Sequence, residues 1–432
     1  MVTDDLIITE VFSKIKPNKE EQSQFKAIVT SFLLKLNSQL KNAQAILGGS
    51  GAKDTWLSGN YDVDVFVLFD YKKFIDQSEQ LANLLEPSLK KAFPNLKLER
   101  LHGSRDYFQL IFQQLSFEVV PILAITKSKQ AVNITDVSHL HSQWVNKQGK
   151  TVKDDIRLAK QFCKANGLYG AESYIGGFSG YILEILTIYY GSFKALLAAA
   201  PKWNLKEIID PSKFYSGKEA LFNINKSKLQ SPLIIVDPVD QSRNAAAALS
   251  IDKFNQFKKL AKEYLKKPEL KFFEKKTVTL TDLKKEADKN KTKDASNPKD
   301  ASNLVFLQAI PVAGKIDVVG MKLLKVFNYL ETELKPFVIK KSGWEWDTNK
   351  KAVMYFILAS KELPQFEIRS GPPLTMKEYV ADFKKKNKTT FEEKGRIMAK
   401  VKIEHAKLND FVNHLLKSDY VQEKVKKITF VK

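Results

Sequence analysis

At 432 residues the chain exceeds what one ordinary core organises, and a 44% hydrophobic fraction is ample for two to four cores. Lysine and arginine total 70 against 49 acidic residues, so a net charge of +21 points to a polyanionic partner, nucleic acid ahead of an anionic membrane. The single cysteine, Cys163, excludes intramolecular disulfides and multi-cysteine zinc sites. The apolar window at 182–190 contains Glu184 and falls short of a membrane span. Asp4 and Asp5 stand where a signal-type apolar block would lie, so the expectation is a soluble, cytoplasmic protein with no membrane partner.

Residues 1–46 read as helix, with apolar side chains near a 3.6 period and Pro17 opening a second segment. LGGSGAKDTWLSGNYDVDVFVLF (47–69) then runs from a Gly-Ser turn into an apolar β-type stretch. A helix follows over 79–92, with Pro87 expected to restart it as a second short segment and Pro94 to end it. Three β-type runs at 96–101, 107–112 and 117–122 complete a mixed α/β unit closing near residue 130. Residues 151–265 read as mostly helical: Gly167 is a natural C-cap, 178–203 supplies one long or two abutting apolar helices, and 233–236 is a short β run. On the amphipathic helix at 252–266, the lysines fit either a solvated face or an RNA rail. The polar, lysine-rich stretch 281–303, with KDASN at 293–297 and again at 299–303, reads as a mobile surface loop or linker. A β-α-β-β pattern (304–310, 322–334, 337–346, 352–360) suits a small ferredoxin- or RRM-like sandwich. From Pro372 onward helix is expected to dominate until a β-type run at 427–431 returns to the sheet. The fold class is therefore multidomain α+β.

The chemistry is concentrated in 47–69. Side chains two apart on a strand share a face, so Asp62 and Asp64 stand side by side at the head of a buried run. Adjacent like charges beside a core call for compensation, and a divalent cation is the usual one. Glu118, a lone acid in the apolar run FEVVP, is the candidate third carboxylate if its strand neighbours that of Asp62. The Gly48-Gly49-Ser50 turn can aim N–H groups and a hydroxyl at phosphate oxygens. Three acids of this kind suit two-metal phosphoryl-group chemistry, which needs no general-base histidine.

The string Gly49-Ser50, Lys53, Thr55-Trp56-Leu57, Gly59 and Asp62-Val63-Asp64 closely resembles the nucleotidyltransferase signature of class I, archaeal-type CCA-adding enzymes. Blocks at 164–172, 177–181, 190–193 and 236–240, with Arg243-Asn244, resemble that family's central region; beyond residue 270 the likeness is one of layout. The resemblance implies a nucleotidyltransferase palm at 1–147, a helical neck at 148–272, and a ferredoxin-like body with a helical, tRNA-binding tail at 273–432. It implies that Asp62, Asp64 and Glu118 hold two Mg²⁺ ions. Gly49, Ser50, Lys53, His141, Lys160 and Tyr169 would contact the triphosphate and sugar of CTP or ATP, with Ser138 and Arg243 as second contributors. It further implies a tRNA partner gripped at acceptor stem and elbow, the basic residues of 382–407 serving the elbow; a homodimer is left open. This chain departs from the family in having Glu118 for an aspartate, Lys53 for an arginine and Ser138 for a threonine, with Val137 where a basic residue is common. The rival readings are a poly(A) polymerase or oligoadenylate synthetase sharing the signature, and an RNA-binding protein that has lost activity.

Overall fold

The computed structural model describes residues 4–59, 62–275, 278–289, 303–348 and 351–431. The chain divides into two compact units, Met1–Lys276 and Thr277–Lys432.

The first unit opens with α1 (Asp4–Ile15) and α2 (Lys19–Asn37). Asn18 caps α2 by accepting from the Glu21 N–H at 2.9 Å, and the Glu21 carboxylate accepts from the Asn18 N–H at 2.9 Å. Pro17 therefore precedes the cap and leaves the helix intact. The helical reading of 1–46 overlooks β1 (Ala43–Leu47), five residues too short to show a period. Next come α3 (Gly49–Lys53), β2 (Asp62–Phe69), α4 (Tyr71–Phe74), α5 (Leu81–Ala92), β3 (Glu99–Leu101), β4 (Tyr107–Phe112) and β5 (Leu115–Leu123). Pro87 lies inside α5 and does not restart it. Leu81, Ala82, Leu85 and Leu89 bury one continuous face, and that burial outweighs the single missing N–H.

The sheet runs β1-β2-β5-β4-β3, with β2 and β5 parallel and every other pair antiparallel. Its core is aromatic: Phe32 stacks on Phe117 at 3.9 Å and on Phe93 at 4.5 Å between ring centres.

The remainder of this unit holds α6 (Ser138–Gln148), α7 (Lys153–Ala165), α8 (Gly180–Tyr190), α9 (Phe193–Ala199), β6 (Glu207–Ile209), α10 (Ala220–Asn223), β7 (Leu233–Asp237), β8 (Asp240–Asn244) and α11 (Ile251–Lys266). The apolar 178–203 stretch forms two helices. Gly191 ends α8 at φ +84°, Ser192 caps α9 by accepting from the Ala195 N–H, and the chain turns by 90°. Among the described residues no single helix is long and apolar enough to cross a membrane. β6, β7 and β8 form a small sheet, so the region carries more strand than its helical pattern suggests.

The second unit begins with α12 (Leu280–Lys289), which corrects the loop reading there: Leu283 and Ala287, four apart, are buried on one face. The two KDASN repeats lie outside the described residues, Asn303 apart. β9 (Leu304–Pro311), α13 (Ile316–Glu333), β10 (Ile339–Glu345) and β11 (Ala352–Leu358) follow. Then come β12 (Phe366–Pro373), α14 (Lys377–Lys386), β13 (Thr390–Glu393), β14 (Arg396–Lys402), α15 (Leu408–Leu416), α16 (Asp419–Gln422) and β15 (Val425–Phe430). The main sheet is antiparallel in the order β10-β11-β9-β15, the ferredoxin-like arrangement, with β15 returning beside β9. The segment after Pro372 is not chiefly helical. β12, β14 and β13 form a second sheet, in which Ile397 and Ala399 alternate inward between exposed lysine and arginine. The lysine density of 382–407 hides that period-two signal.

Candidate active site

The parallel pairing of β2 and β5 sets Asp62 opposite Ser116 and Asp64 opposite Glu118. Paired residues share a face, as do residues two apart, so Asp62, Asp64 and Glu118 stand together with neighbouring backbones about 5 Å apart. Val63, Val65, Phe117 and Val119 turn to the other side and are at most 1% exposed.

Burial lifts the pKa of Asp64; Lys53 opposes the rise and Asp62 adds to it. Glu118 is raised by burial and then by the charges of Asp64 and Asp62. Both carboxylates are thus displaced toward the protonated form, the condition a hard cation relieves. Among the described residues no group of three His, Cys, Asp or Glu side chains closes into a ready cation cage. The register nonetheless presents three carboxylates on one face, and that donor chemistry fits a divalent ion of the Mg²⁺ type.

The glycine turn seats Asp64. The Gly48 N–H donates to the Asp64 carbonyl at 2.8 Å. Gly49 adopts φ +52°, and a Cβ there would fall 1.7 Å from Asp64 Oδ2, so only glycine lets the carboxylate lie against the turn. Half-buried Ser50 follows on α3, a helix of five residues.

Two buried acids organise the cations. Glu184, on α8, accepts from Lys53 Nζ at 2.7 Å, Lys160 Nζ at 2.8 Å and the Thr55 hydroxyl at 2.9 Å; Lys160 also donates to Thr55 Oγ1 at 2.8 Å. Burial alone would raise the Glu184 pKa, but Lys160 and Lys53 hold it down at about 2. Lys160 is drawn downward by its own burial, against the pull of Glu184.

Asp237, the last residue of β7, accepts from His141 Nε2 at 3.1 Å, from the Tyr181 hydroxyl at 3.1 Å and from the Arg243 guanidinium. Burial would raise it; the His141 and Arg243 contacts bring it to about 2. His141 stacks on Tyr181 at 4.1 Å between ring centres, and burial lowers its pKa. His139, two residues earlier, turns away to the Ile125 carbonyl at 2.8 Å. Tyr181 and Glu184 lie one turn apart on α8, and Lys53 Nζ sits 5.8 Å over the Tyr181 ring, which joins the two clusters.

Tyr169 packs its hydroxyl against Gly180, where a Cβ would come within 2.9 Å of it. Burial raises its pKa, and Lys164 Nζ lies 5.0 Å over its ring. Ser138 is the first residue of α6. The loop ahead of it is pinned by buried Asp136, which accepts from the N–H groups of Leu123, Val132 and Asn133 and from Arg105.

Residues 29–129 match the nucleotidyltransferase domain family, 154–274 the tRNA nucleotidyltransferase second domain, and 322–427 the CCA-adding enzyme C-terminal domain. A CCA-adding enzyme of Methanosarcina barkeri is 31% identical over 388 residues, covering 87% of this chain and 80% of that one. The chain belongs to the CCA-adding enzymes. The family member of Methanocaldococcus jannaschii is 28% identical over 96% of this chain and 91% of its own length. That of Nanoarchaeum equitans is 41% identical over 244 residues, and there the match spans 60% of the relative.

In this CCA-adding enzyme Lys53 and Lys160 meet at one acid, and His141 and Arg243 meet at another. Sequence reasoning placed Thr55, Lys164, Tyr181 and Asp237 inside the resembling blocks without assigning them a role, and it left Glu184 out. The signal for Glu184 was present, since a lone acid in an apolar helical run is the pattern that singled out Glu118 in an apolar strand.

Proposed function

We propose that Asp62, Asp64 and Glu118 are the catalytic carboxylates with which this chain adds C, C and A to the 3′ end of tRNA. CTP and ATP would be the donors, pyrophosphate would leave at each step, and no nucleic-acid template would be used. The observation that carries the reading is the strand register joining those three acids, beside a glycine turn and a set of held cations.

The three carboxylates would hold two Mg²⁺ ions. When bound, such ions lower the pKa of the tRNA 3′-hydroxyl and take up charge on the departing pyrophosphate. The side chains supply binding and orientation. The N–H groups of the Gly49–Ser50 turn and the Ser50 hydroxyl offer donors to the triphosphate. Lys53, Lys160, His141 and Tyr169 frame the triphosphate and sugar, with Ser138 at the α6 start. Arg243 presents its planar fork to the base or the terminal nucleotide. The 3′-hydroxyl oxygen then attacks the α-phosphorus in line as the bond to pyrophosphate breaks. Cations already fixed by Glu184 and Asp237 require little reorganisation as that charge develops.

Residues 1–147 would act as the catalytic palm, 148–272 as the nucleotide-framing neck, and 273–432 as the body and tail. The neck and palm would meet the acceptor stem, and the basic face of 382–407 the elbow. Contacts of that kind go to phosphate and make binding strongly salt-dependent. A cytoplasmic location accords with such a substrate.

The test is product length from tRNA trimmed of its CCA end. With CTP alone the product should grow by two residues, with both nucleotides by three, and with ATP alone not at all. A long tail from ATP alone would assign a poly(A) polymerase. RNA binding without incorporation would assign an inactive RNA-binding protein.

A further inference from the structure

The cations around the candidate site fall into two groups. Lys53 and Lys160 are paired to Glu184, and His141 and Arg243 to Asp237. Lys164 is different. It lies one turn beyond Lys160 on the same face of α7, where side chains four apart stand about 6 Å from one another. Its ammonium is half-buried over the Tyr169 ring at 5.0 Å and, among the described residues, forms no ion pair with a carboxylate. Burial lowers its pKa, and the carboxylate whose field opposes that is Asp62.

We infer that Lys164 engages a phosphate of the reacting substrates above the Tyr169 ring. The inference rests on the nucleotidyl-transfer reading above. A cation already joined to a buried acid has its charge largely compensated and its place fixed. An unpaired, half-buried ammonium is costly until an anion arrives, and the aromatic face of Tyr169 compensates it only in part. The helix therefore carries two lysines in different states: Lys160, already held by Glu184, faces the triphosphate, whereas Lys164 has no carboxylate partner of its own among the described residues and is left for the incoming anion. That anion is either a phosphate of the nucleoside triphosphate or the last phosphodiester of the RNA.

The experiment compares Lys164→Met and Lys164→Arg with the unaltered protein. It reads kcat, KM for CTP at saturating trimmed tRNA, KM for trimmed tRNA at saturating CTP, and the thermal midpoint. Lys164→Met should lower kcat/KM roughly tenfold to a hundredfold, the range of a charge-assisted hydrogen bond, without lowering the midpoint. Lys164→Arg should restore most of the loss. A rise in KM for CTP identifies the triphosphate as the ligand, and a rise in KM for tRNA identifies the RNA phosphate; either supports the inference. Unchanged constants in Lys164→Met overturn it, as does an equal loss in Lys164→Arg. Should the methionine variant fail to fold, Lys164→Gln is read by the same criteria. Absence of addition by the unaltered protein sinks the underlying reading as well, whereas normal addition by both it and Lys164→Met sinks only this inference.

Discussion

Asp64 and Glu118 on the sheet face, and Glu184 and Asp237 on α8 and β7, are all carboxylates withdrawn from water, yet their protonation is displaced in opposite directions. The first pair is raised, by burial and by like charges alongside. The second pair sits at about 2, because each acid gathers two basic side chains that outweigh its burial. Burial is common to both, so burial alone does not define a reactive acid. The deciding quantity is whether the protein itself supplies the opposite charge. Where it does, the acid fixes other side chains; where it does not, the acid is left for something that binds.

Removing a member of each set should break different properties. Asp62→Ala or Asp64→Ala should abolish nucleotide incorporation, a loss on the order of a thousandfold or more, because a carboxylate for the charge-stabilising ion is gone. Binding of tRNA, followed by filter retention, should persist. Unchanged turnover in either variant would remove the assignment.

Glu184→Ala should act on stability first. It leaves the Lys53 and Lys160 ammonium groups buried without a counter-charge, which costs about 3–5 kcal/mol. Urea denaturation monitored by circular dichroism would show this as a lower midpoint. A variant as stable as the parent would mean that the cluster contributes little to holding the fold.

The acid limb of the stability curve separates the sets more finely. Glu184 and Asp237 have folded values of about 2, below an unfolded carboxylate near ~4, so as pH falls the unfolded chain takes up protons first. Their contribution is complete above about pH 4 and vanishes as pH falls through about 2. Asp64 and Glu118 are raised and carry the reverse sign, favouring the folded state at lower pH and opposing it as pH rises through their folded values. Melting temperature against pH should therefore fall less steeply below pH 4 in Asp237→Asn than in the parent. Parallel curves would contradict the pairing of Asp237.

A half-buried acid near the surface is the control with the smallest effect. Asp106 contacts Arg100 at 2.9 Å near the surface, and Asp106→Ala should change stability by about 0–1 kcal/mol in the same denaturation experiment.

One side of this contrast is legible in the sequence. The acids Asp62 and Asp64 announce themselves by spacing, and Glu118 by being the lone charge in an apolar run, because strand periodicity is a local property. The parallel register that sets Glu118 opposite Asp64 is not local, since 53 intervening residues separate the two positions. Glu184 and Asp237 were hidden for a related reason: Lys53 lies 131 residues from the first and His141 96 residues from the second, and only the tertiary fold brings them together. At the level of elements the misses have equally specific causes. β1 is five residues long, Pro87 is tolerated because a leucine face holds α5 down, and β14 is masked by lysines. The return of β15 to the ferredoxin-like sheet, by contrast, was legible as a final β-type run.

The central claim, that one set of buried acids awaits a cation while the other is already compensated, is tested most directly by thermal midpoint against Mg²⁺ concentration. A ligand that binds only the folded state raises that midpoint by mass action. Mg²⁺ should stabilise the parent protein and Asp237→Asn alike, and should lose most of that effect in Asp64→Asn. An Mg²⁺ response in Asp64→Asn equal to that of the parent would contradict the account.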